Sequence, residues 1–436
     1  MQTGLSTKNA PAPSVVLPHF IFSAVVFFIA SIVMLIAAPN LVLPYYLNSQ
    51  MLTLTHLMVL GFVTMIIFGS LYQLIPVIME VKLYSEFMAK ITFYLFGAGL
   101  LILSAAFWKN GFWVGNNLHL FDISGTLILI AVILFVINSL KSAAKSQRMD
   151  ISNFFIVTAI IYLLLTVTMG ILIIINLALH FIPVNGLDLL NMHVNLGLAG
   201  WFLCLIIGVS SKLIPMFLIN HKVPERLLKI SYFLLNAGLI LLVVSFYFYP
   251  RPWAILVSSL PVFAAVVLFL RFNYVAFKGR LRKNLDVGMK LSRTSLIILA
   301  FILLLGLWIV VSPKLTDSFQ YRIDIAFGMS IIFGFFTALI LGQTYKTLPF
   351  IVWLQKYQTK VGRQKTPLPH ELYSARIASF HRKTYLAAFI FLITGELTAW
   401  IWLIQIAALM FIITAGLYNI NVFKIVFHKE KIIENE

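Results

Sequence analysis

Residues 56–76, HLMVLGFVTMIIFGSLYQLIP, decide the fold because recognisable versions of this stretch occur twice more along the chain. The stretch contains the template G-x7-G-x2-[YS]-[QK]-x-[IL]-P, and the internal spacing is the same in every copy. Successive copies lie about 139 and about 134 residues apart, too far for a solenoid repeat and suitable for four membrane-spanning helices per copy. The chain is therefore predicted to be triplicated. The template positions are Gly61, Gly69, Tyr72, Gln73 and Pro76, then Gly200, Gly208, Ser211, Lys212 and Pro215, then Gly334, Gly342, Tyr345, Lys346 and Pro349.

Composition excludes a soluble domain. Of the 436 residues, 61% are hydrophobic and 11% are charged, and the mean hydropathy is +0.99. Soluble domains are nearer half apolar, so this is an integral membrane protein. The net charge of +18 lies in short loops between apolar runs, so no nucleic acid partner is predicted. The single cysteine, Cys204, lies inside an apolar run, which excludes an intrachain disulfide, covalent haem attachment and an iron–sulfur cluster.

The apolar runs predict an all-α polytopic membrane protein. It has about twelve transmembrane helices in three pseudo-equivalent four-helix groups. Residues 1–436 form a single integral membrane domain, with internal repeats at approximately 19–140, 152–277 and 291–427. The predicted spans are 19–38, 52–79, 87–108, 119–140, 152–180, 189–219, 227–249, 252–277, 291–312, 323–354, 384–400 and 402–427.

Charge alternates between the loops and orients the chain. Loops after even-numbered spans are rich in lysine and arginine, whereas loops after odd-numbered spans carry few charges. The positive-inside rule then places both termini in the cytoplasm, in a bacterial-type inner membrane, with the lipid bilayer as the first partner. Each template helix begins at the outer face and ends near the inner face at its proline. Lys212 and Lys346 are expected to reach the inner headgroups.

Four of the nine histidines fall near the outer ends of spans, where imidazoles could converge on a metal or a haem. The alternative is that each is an interfacial side chain with its polar tip in water. The four are His56, His119, His180 and His193. The other five are expected to be solvated, in or beside cytoplasmic loops: His19, His221, His370, His381 and His428.

His56 and His193 occupy nearly matching places on two template helices. His56 lies 20 residues before its proline and His193 lies 22 before its own. Two residues turn a side chain by roughly 200° around a helix, so the two rings need not share a role. The same offsets in the third template fall on Met329 and Phe327.

This arrangement resembles subunit I of the haem–copper oxidases, the superfamily of cytochrome c oxidases and bacterial nitric oxide reductases. The resemblance implies that His56 is a ligand of the low-spin haem. The family's tenth-span His-x-His is replaced here by Phe327-Gly328-Met329, so Met329 is implied as the second haem ligand, with His193 or His119 as the next candidates. His193 is also the nearest match to the family's first copper histidine. The seventh span has no histidine, so copper is not predicted.

The first functional hypothesis is an oxidase-subunit-I-like membrane cytochrome. It would hold a b-type haem, through His56 with Met329 or His193, and act in respiratory electron transfer or nitric oxide or oxygen binding. Its partners would be an electron-donor cytochrome or another membrane subunit. If it is an enzyme, it is a haem-dependent oxidoreductase of the oxidase or nitric oxide reductase type. The alternatives are a cofactor-free transporter, or an assembly or scaffold subunit whose basic segment, residues 356–383, binds anionic lipid or a partner.

Overall fold

The computed structural model describes residues 9–43, 47–110, 118–220, 222–311 and 318–430. These residues form long helices and a few short turns, with no strand among them. The predicted all-α fold is confirmed. The helices are α1 (Pro13–Leu41), α2 (Ser49–Ile78), α3 (Glu86–Lys109), α4 (His119–Ala143), α5 (Ile151–Leu179), α6 (Gly186–Leu218), α7 (Glu225–Phe248), α8 (Pro252–Lys278), α9 (Val287–Val311), α10 (Phe319–Lys360), α11 (Ala375–Thr398) and α12 (Ile401–Val426).

Eleven of these helices, all except α11, are long and apolar enough to cross a membrane. α11 begins at Ala375, earlier than the predicted span 384–400, and its added first turns carry arginines and a lysine. A tight turn joins it to α12. Ala399 adopts the left-handed conformation there, with φ of 53°, and its amide donates to the Glu396 carbonyl at 3.2 Å. The predicted division is therefore confirmed as a division between two helices, and that α11 spans the membrane stays a prediction.

The template helices α2, α6 and α10 are the most buried helices of the bundle. In each, the second template glycine faces the helix that precedes the template. A Cβ at Gly342 would lie 2.6 Å from the Gly288 carbonyl oxygen, so the α10 and α9 backbones touch. A Cβ at Gly69 or at Gly208 would lie 3.1 Å from a backbone oxygen of α1 or α5, that of Val16 or of Ser152. Small residues thus let helices approach within the membrane.

Two histidines expected in solvent are fully buried, which corrects the sequence-based expectation. His19 on α1 and His381 on α11 have no exposed surface. The reason is that both helices begin before the predicted spans, so these residues lie on helix faces inside the bundle. His19 packs edge-on against Tyr72 with 5.6 Å between ring centroids, and His381 packs against Tyr345 at 5.7 Å.

The other three histidines of that group differ among themselves. His370 is exposed, as expected. His428 is half-buried, and its Nε2 lies 2.8 Å from the Tyr357 hydroxyl. His221 lies outside the described residues.

The template lysines form ion pairs, whereas the sequence predicted that they reach the headgroups. Lys212 pairs with Asp150 at 2.5 Å, and Lys346 pairs with Asp286. Each aspartate also caps the helix that follows it, because Asp150 accepts from the Asn153 amide at the start of α5, and Asp286 caps α9 in the same way. One carboxylate thus ties a template helix to the helix that packs against its glycine.

The Asp286 carboxylate is held in its charged form. Burial opposes ionisation, but hydrogen bonds from Lys346 and the Met289 amide, with the charges of Lys346 and Arg282, outweigh it and lower the pKa of Asp286 below its usual 3.8. A lowered folded-state pKa stabilises the fold above the unfolded-state value, and this stabilisation is lost as the pH falls through the folded value.

We expect Asp286→Asn to lower the melting temperature at neutral pH, because it removes the charge that faces Lys346. The difference from wild type should persist down to about pH 4 and shrink below it, as the wild-type carboxylate takes up its proton. Thermal melting in detergent across this pH range checks the expectation. A difference that does not change with pH would contradict it.

We expect Gly342→Ala to destabilise the bundle by about 1–3 kcal/mol, because its Cβ would force the α9 and α10 backbones apart. Gly97→Ala is the matched control. A Cβ there meets nothing closer than Phe22 at 3.4 Å, and alanine favours a helix more than glycine does. Melting temperatures of the two variants make the comparison, and equal losses would count against the backbone contact.

Candidate functional site

Each template helix contains a π-helical segment at the same position. The segments are Leu57–Thr64 in α2, Leu196–Leu203 in α6 and Ser330–Phe336 in α10. Each begins four residues before the first glycine of its template, counting from 57 to 61, 196 to 200 and 330 to 334. π-turns are rare and occur frequently at functional sites. The residue immediately before each segment is His56, Asn195 or Met329.

Threonine hydroxyls close two of the π-segments. Thr64 donates to the Val59 carbonyl at 2.8 Å, and Thr337 donates to the Ile332 carbonyl at 2.7 Å, in both cases five residues back. Trp201 of the second segment reaches across the bundle, and its Nε1 donates to the Thr64 hydroxyl at 3.2 Å. Both partners are buried. This hydrogen bond joins two template helices directly.

The His56 imidazole is oriented by its own helix and by α3. Nδ1 lies 2.8 Å from the Leu52 carbonyl oxygen, and the ring stacks on Phe107 with 4.6 Å between centroids. A carbonyl accepts only, so Nδ1 carries the hydrogen, and this assignment follows from the hydrogen-bond pattern. Nε2 then keeps its lone pair, which is the usual second-shell arrangement of a ligating histidine. His56 is half-buried.

His193 is oriented in the same manner by α5. Its Nδ1 lies 3.0 Å from the Thr166 carbonyl oxygen, and its ring rests on Gly170, where a Cβ would come within 3.1 Å of Cε1. The ring lies close enough to His56 for the two imidazoles to interact electrostatically. The two histidines therefore interact electrostatically although they pack on different helices, α3 and α5.

Two other predicted ligands, Met329 and His119, and the nearby Phe327 lie in different surroundings. Met329 is only 4% exposed and belongs to the hydrophobic core. Phe327 packs on α9, where a Cβ at Gly306 would lie 3.0 Å from its ring. His119 is exposed at the first turn of α4.

Within the described residues, no three histidine, cysteine, aspartate or glutamate side chains lie together as a metal-binding group. His56, His193 and His119 do not form such a group, and ligation by any of them stays a prediction. His180, the remaining outer-end histidine, terminates α5 in the left-handed conformation.

The proximity of two ionisable residues, Glu396 and Arg322, near the same end as the histidines was not predicted from the sequence. Glu396 has no exposed surface, and neither carboxylate oxygen has a hydrogen-bond partner among the described residues. It interacts electrostatically with Arg322 of α10, whose Nε is likewise buried without a partner. Ionisable groups buried in a membrane bundle mark functional sites. The feature of the sequence that could have indicated this site is Glu396, a carboxylate near the end of an apolar run.

The comparison with solved structures shows the fold. The chain superposes with a TM-score of 0.63 on a haem–copper terminal oxidase, solved as a dimer by cryo-EM, to which it is 11% identical. The superposition covers 96% of this chain and 84% of that chain. No protein-family model matches the sequence, and no curated protein does.

We expect Thr64→Val to lower the free energy of unfolding by about 1–3 kcal/mol more than Thr337→Val does. Both changes remove a hydroxyl that closes a π-segment, but only Thr64→Val leaves the buried Trp201 Nε1 without an acceptor. Denaturant unfolding of both variants in detergent measures the difference. Equal losses would mean that the bond between the two template helices contributes nothing.

Proposed function

Because the chain has the haem–copper oxidase fold, we propose that it is an oxidase-subunit-I-like membrane cytochrome that binds a b-type haem. It acts in respiratory electron transfer or in binding nitric oxide or oxygen. The observation that carries this proposal is the pair of imidazoles, His56 and His193, each with its Nδ1 on a backbone carbonyl. The two groups also interact electrostatically.

The residues fit a haem by their chemistry. A neutral imidazole presenting Nε2 is a strong ligand for haem iron and tolerates a low dielectric. Arg322 offers a buried donor without a partner near the same end of the bundle, which suits a propionate. The single cysteine, Cys204, is buried and hydrogen-bonded to the Phe155 carbonyl, in keeping with noncovalent binding. When bound, the haem would supply one-electron chemistry, and a small gas would have to take the place of the second protein ligand.

The second ligand is better assigned to His193 than to Met329. His193 interacts with His56, whereas Met329 is buried in the apolar core, where methionine commonly serves as packing. The two assignments differ in reduction potential, because methionine ligation raises it. His119 is the weakest candidate, since its side chain is exposed.

The chain does not offer a copper donor set that matches the family. α7 has no histidine, and His193 is the single histidine of α6. Tyr162 occupies the space between α5, α6 and α7: its ring packs on Gly200, and its hydroxyl donates to Asn236 Oδ1 at 2.9 Å. We therefore propose a cytochrome in which the copper site has been replaced by packing, and not a dioxygen-reducing centre.

The proposed orientation puts the proline ends of the templates at the cytoplasmic face. We call this end the basic end, because the loops after even-numbered helices lie there. Both ends of the described chain are held at it, through the Ala12 amide to Glu86 and through Lys360 to Glu430. The histidine end would then face the electron donor or partner subunit, across a bacterial-type inner membrane.

The test is a reduced-minus-oxidised optical spectrum of the purified protein, expressed with haem available. We expect a haem b signal in wild type, its loss in His56→Ala, and loss or strong weakening in His193→Ala. Met329→Leu should keep both the signal and the potential. His119→Ala and His370→Ala are controls, because both residues are exposed.

Two outcomes would change the proposal. A lowered potential in Met329→Leu, with His193→Ala unaffected, would assign Met329 as the second ligand. Folded wild type without haem would remove the cytochrome and favour a cofactor-free transporter or an assembly subunit on the same fold.

A further inference from the structure

We propose that the basic end of the bundle binds an anionic phospholipid in a cavity of about 550 Å³ between the loop after α8, the start of α9 and α11. We call it the basic cavity. Its charged lining consists of Arg280, Lys283, Lys290, Arg293 and Arg382. No acid lines it. The site needs no haem, so it stands apart from the proposed cytochrome function.

The cations of the basic cavity lack counter-charges within the described chain. None of the five is in an ion pair there. The aspartate nearest in sequence, Asp286, directs its carboxylate to Lys346, Arg282 and the Met289 amide. Like charges gathered from three segments of the chain repel one another, so an anion entering the cavity relieves that repulsion.

The lining favours phosphate over other anions. Three of the five cations are arginines, whose planar guanidinium groups bind phosphate oxygens with two parallel hydrogen bonds. The arginines come from different segments: Arg280 follows α8, Arg293 lies in the second turn of α9, and Arg382 lies on α11. The cavity can therefore surround a phosphate from several sides, or accept a headgroup with more than one phosphate.

An apolar strip identifies the anion as a lipid. Ile297 lines the basic cavity and is 61% exposed. The exposed side chains of Phe301 and Leu304 follow it at helical spacing along the membrane face of α9. A soluble phosphate would make no contact with this apolar surface, whereas the acyl chains of a lipid can lie along it while the headgroup occupies the cavity. Basic pockets between membrane helices at this depth are typical of anionic headgroup sites.

The experiment measures lipid retained by the full chain. Phosphatidylglycerol is titrated into protein purified in phosphatidylcholine-containing micelles, and bound lipid is counted by native mass spectrometry. Arg293→Gln/Arg382→Gln should bind phosphatidylglycerol roughly thirtyfold more weakly than wild type, from about 1 kcal/mol for each cation removed. The matched control is Arg226→Gln/Lys229→Gln, which removes two exposed cations at the same end outside the cavity and should change binding less than about threefold.

Two further measurements distinguish a lipid headgroup from inorganic phosphate as the ligand of the basic cavity. Ile297→Asn should weaken phosphatidylglycerol binding and leave the effect of inorganic phosphate on the melting temperature unchanged. Inorganic phosphate that displaces the lipid at equal concentration would assign the site to a soluble anion and overturn the proposal. Equal weakening in the cavity variant and in the control variant would overturn it as well, since it would show attraction to the whole basic surface.

Folding and haem binding are followed in the same samples. The five cations are exposed or half-buried, so the variants should keep the wild-type melting temperature in detergent. Lys290→Gln is a milder second variant and should weaken lipid binding roughly fivefold. The haem content of the cavity variants should equal that of wild type, so loss of lipid and failure of the cytochrome assignment are separately visible.

Discussion

The fold depends on backbone contact between each template helix and the helix before it. Gly342 and Gly288 bring α10 and α9 together with no side chain between them, and an aspartate at the start of the partner helix pairs with the template lysine one turn away. The second template repeats this contact through Gly208 and Asp150. These contacts fix the proline ends of the template helices. The proposed haem ligands lie toward the opposite ends.

Sequence reasoning predicted the parts of the fold that local features determine. Template spacing and the length of the apolar runs predicted the twelve helices and the turn before α12. Each of these two features is a property of a single helical segment, so it can be recognised from the sequence. Burial of His19 and His381 was missed, because α1 begins in a stretch with two prolines and α11 begins in a basic stretch, and the predicted spans started after both. The ion pair of Lys346 with Asp286 and the electrostatic interaction of Glu396 with Arg322 join residues distant in sequence, and no single helix contains that information.

In the candidate site, too, local features were predicted and contacts between distant residues were not. Register along the template indicated that His56 and His193 need not share a role. The structure shows that they pack on different helices, α3 and α5, and their roles stay a prediction. Which residue approaches His56 depends on tertiary packing. Phe327 stands where the resemblance implies a histidine, and Tyr162 fills the space between α5, α6 and α7. Both are compatible with the proposed reduced set of cofactors. The π-segments at one position in all three templates support the proposed triplication.

Each π-segment also sets the angle, around the helix axis, between the side chains that precede it and the side chains that follow it. An α-helix turns about 100° per residue, so removing the surplus residue of a π-turn would rotate everything on its outer side by about that angle. The glycine and proline half would keep its contacts, while His56, Asn195 or Met329 would face a different neighbour. Single-residue insertions or deletions at this level could therefore exchange the groups that face the interior of the bundle without disturbing its packing at the basic end.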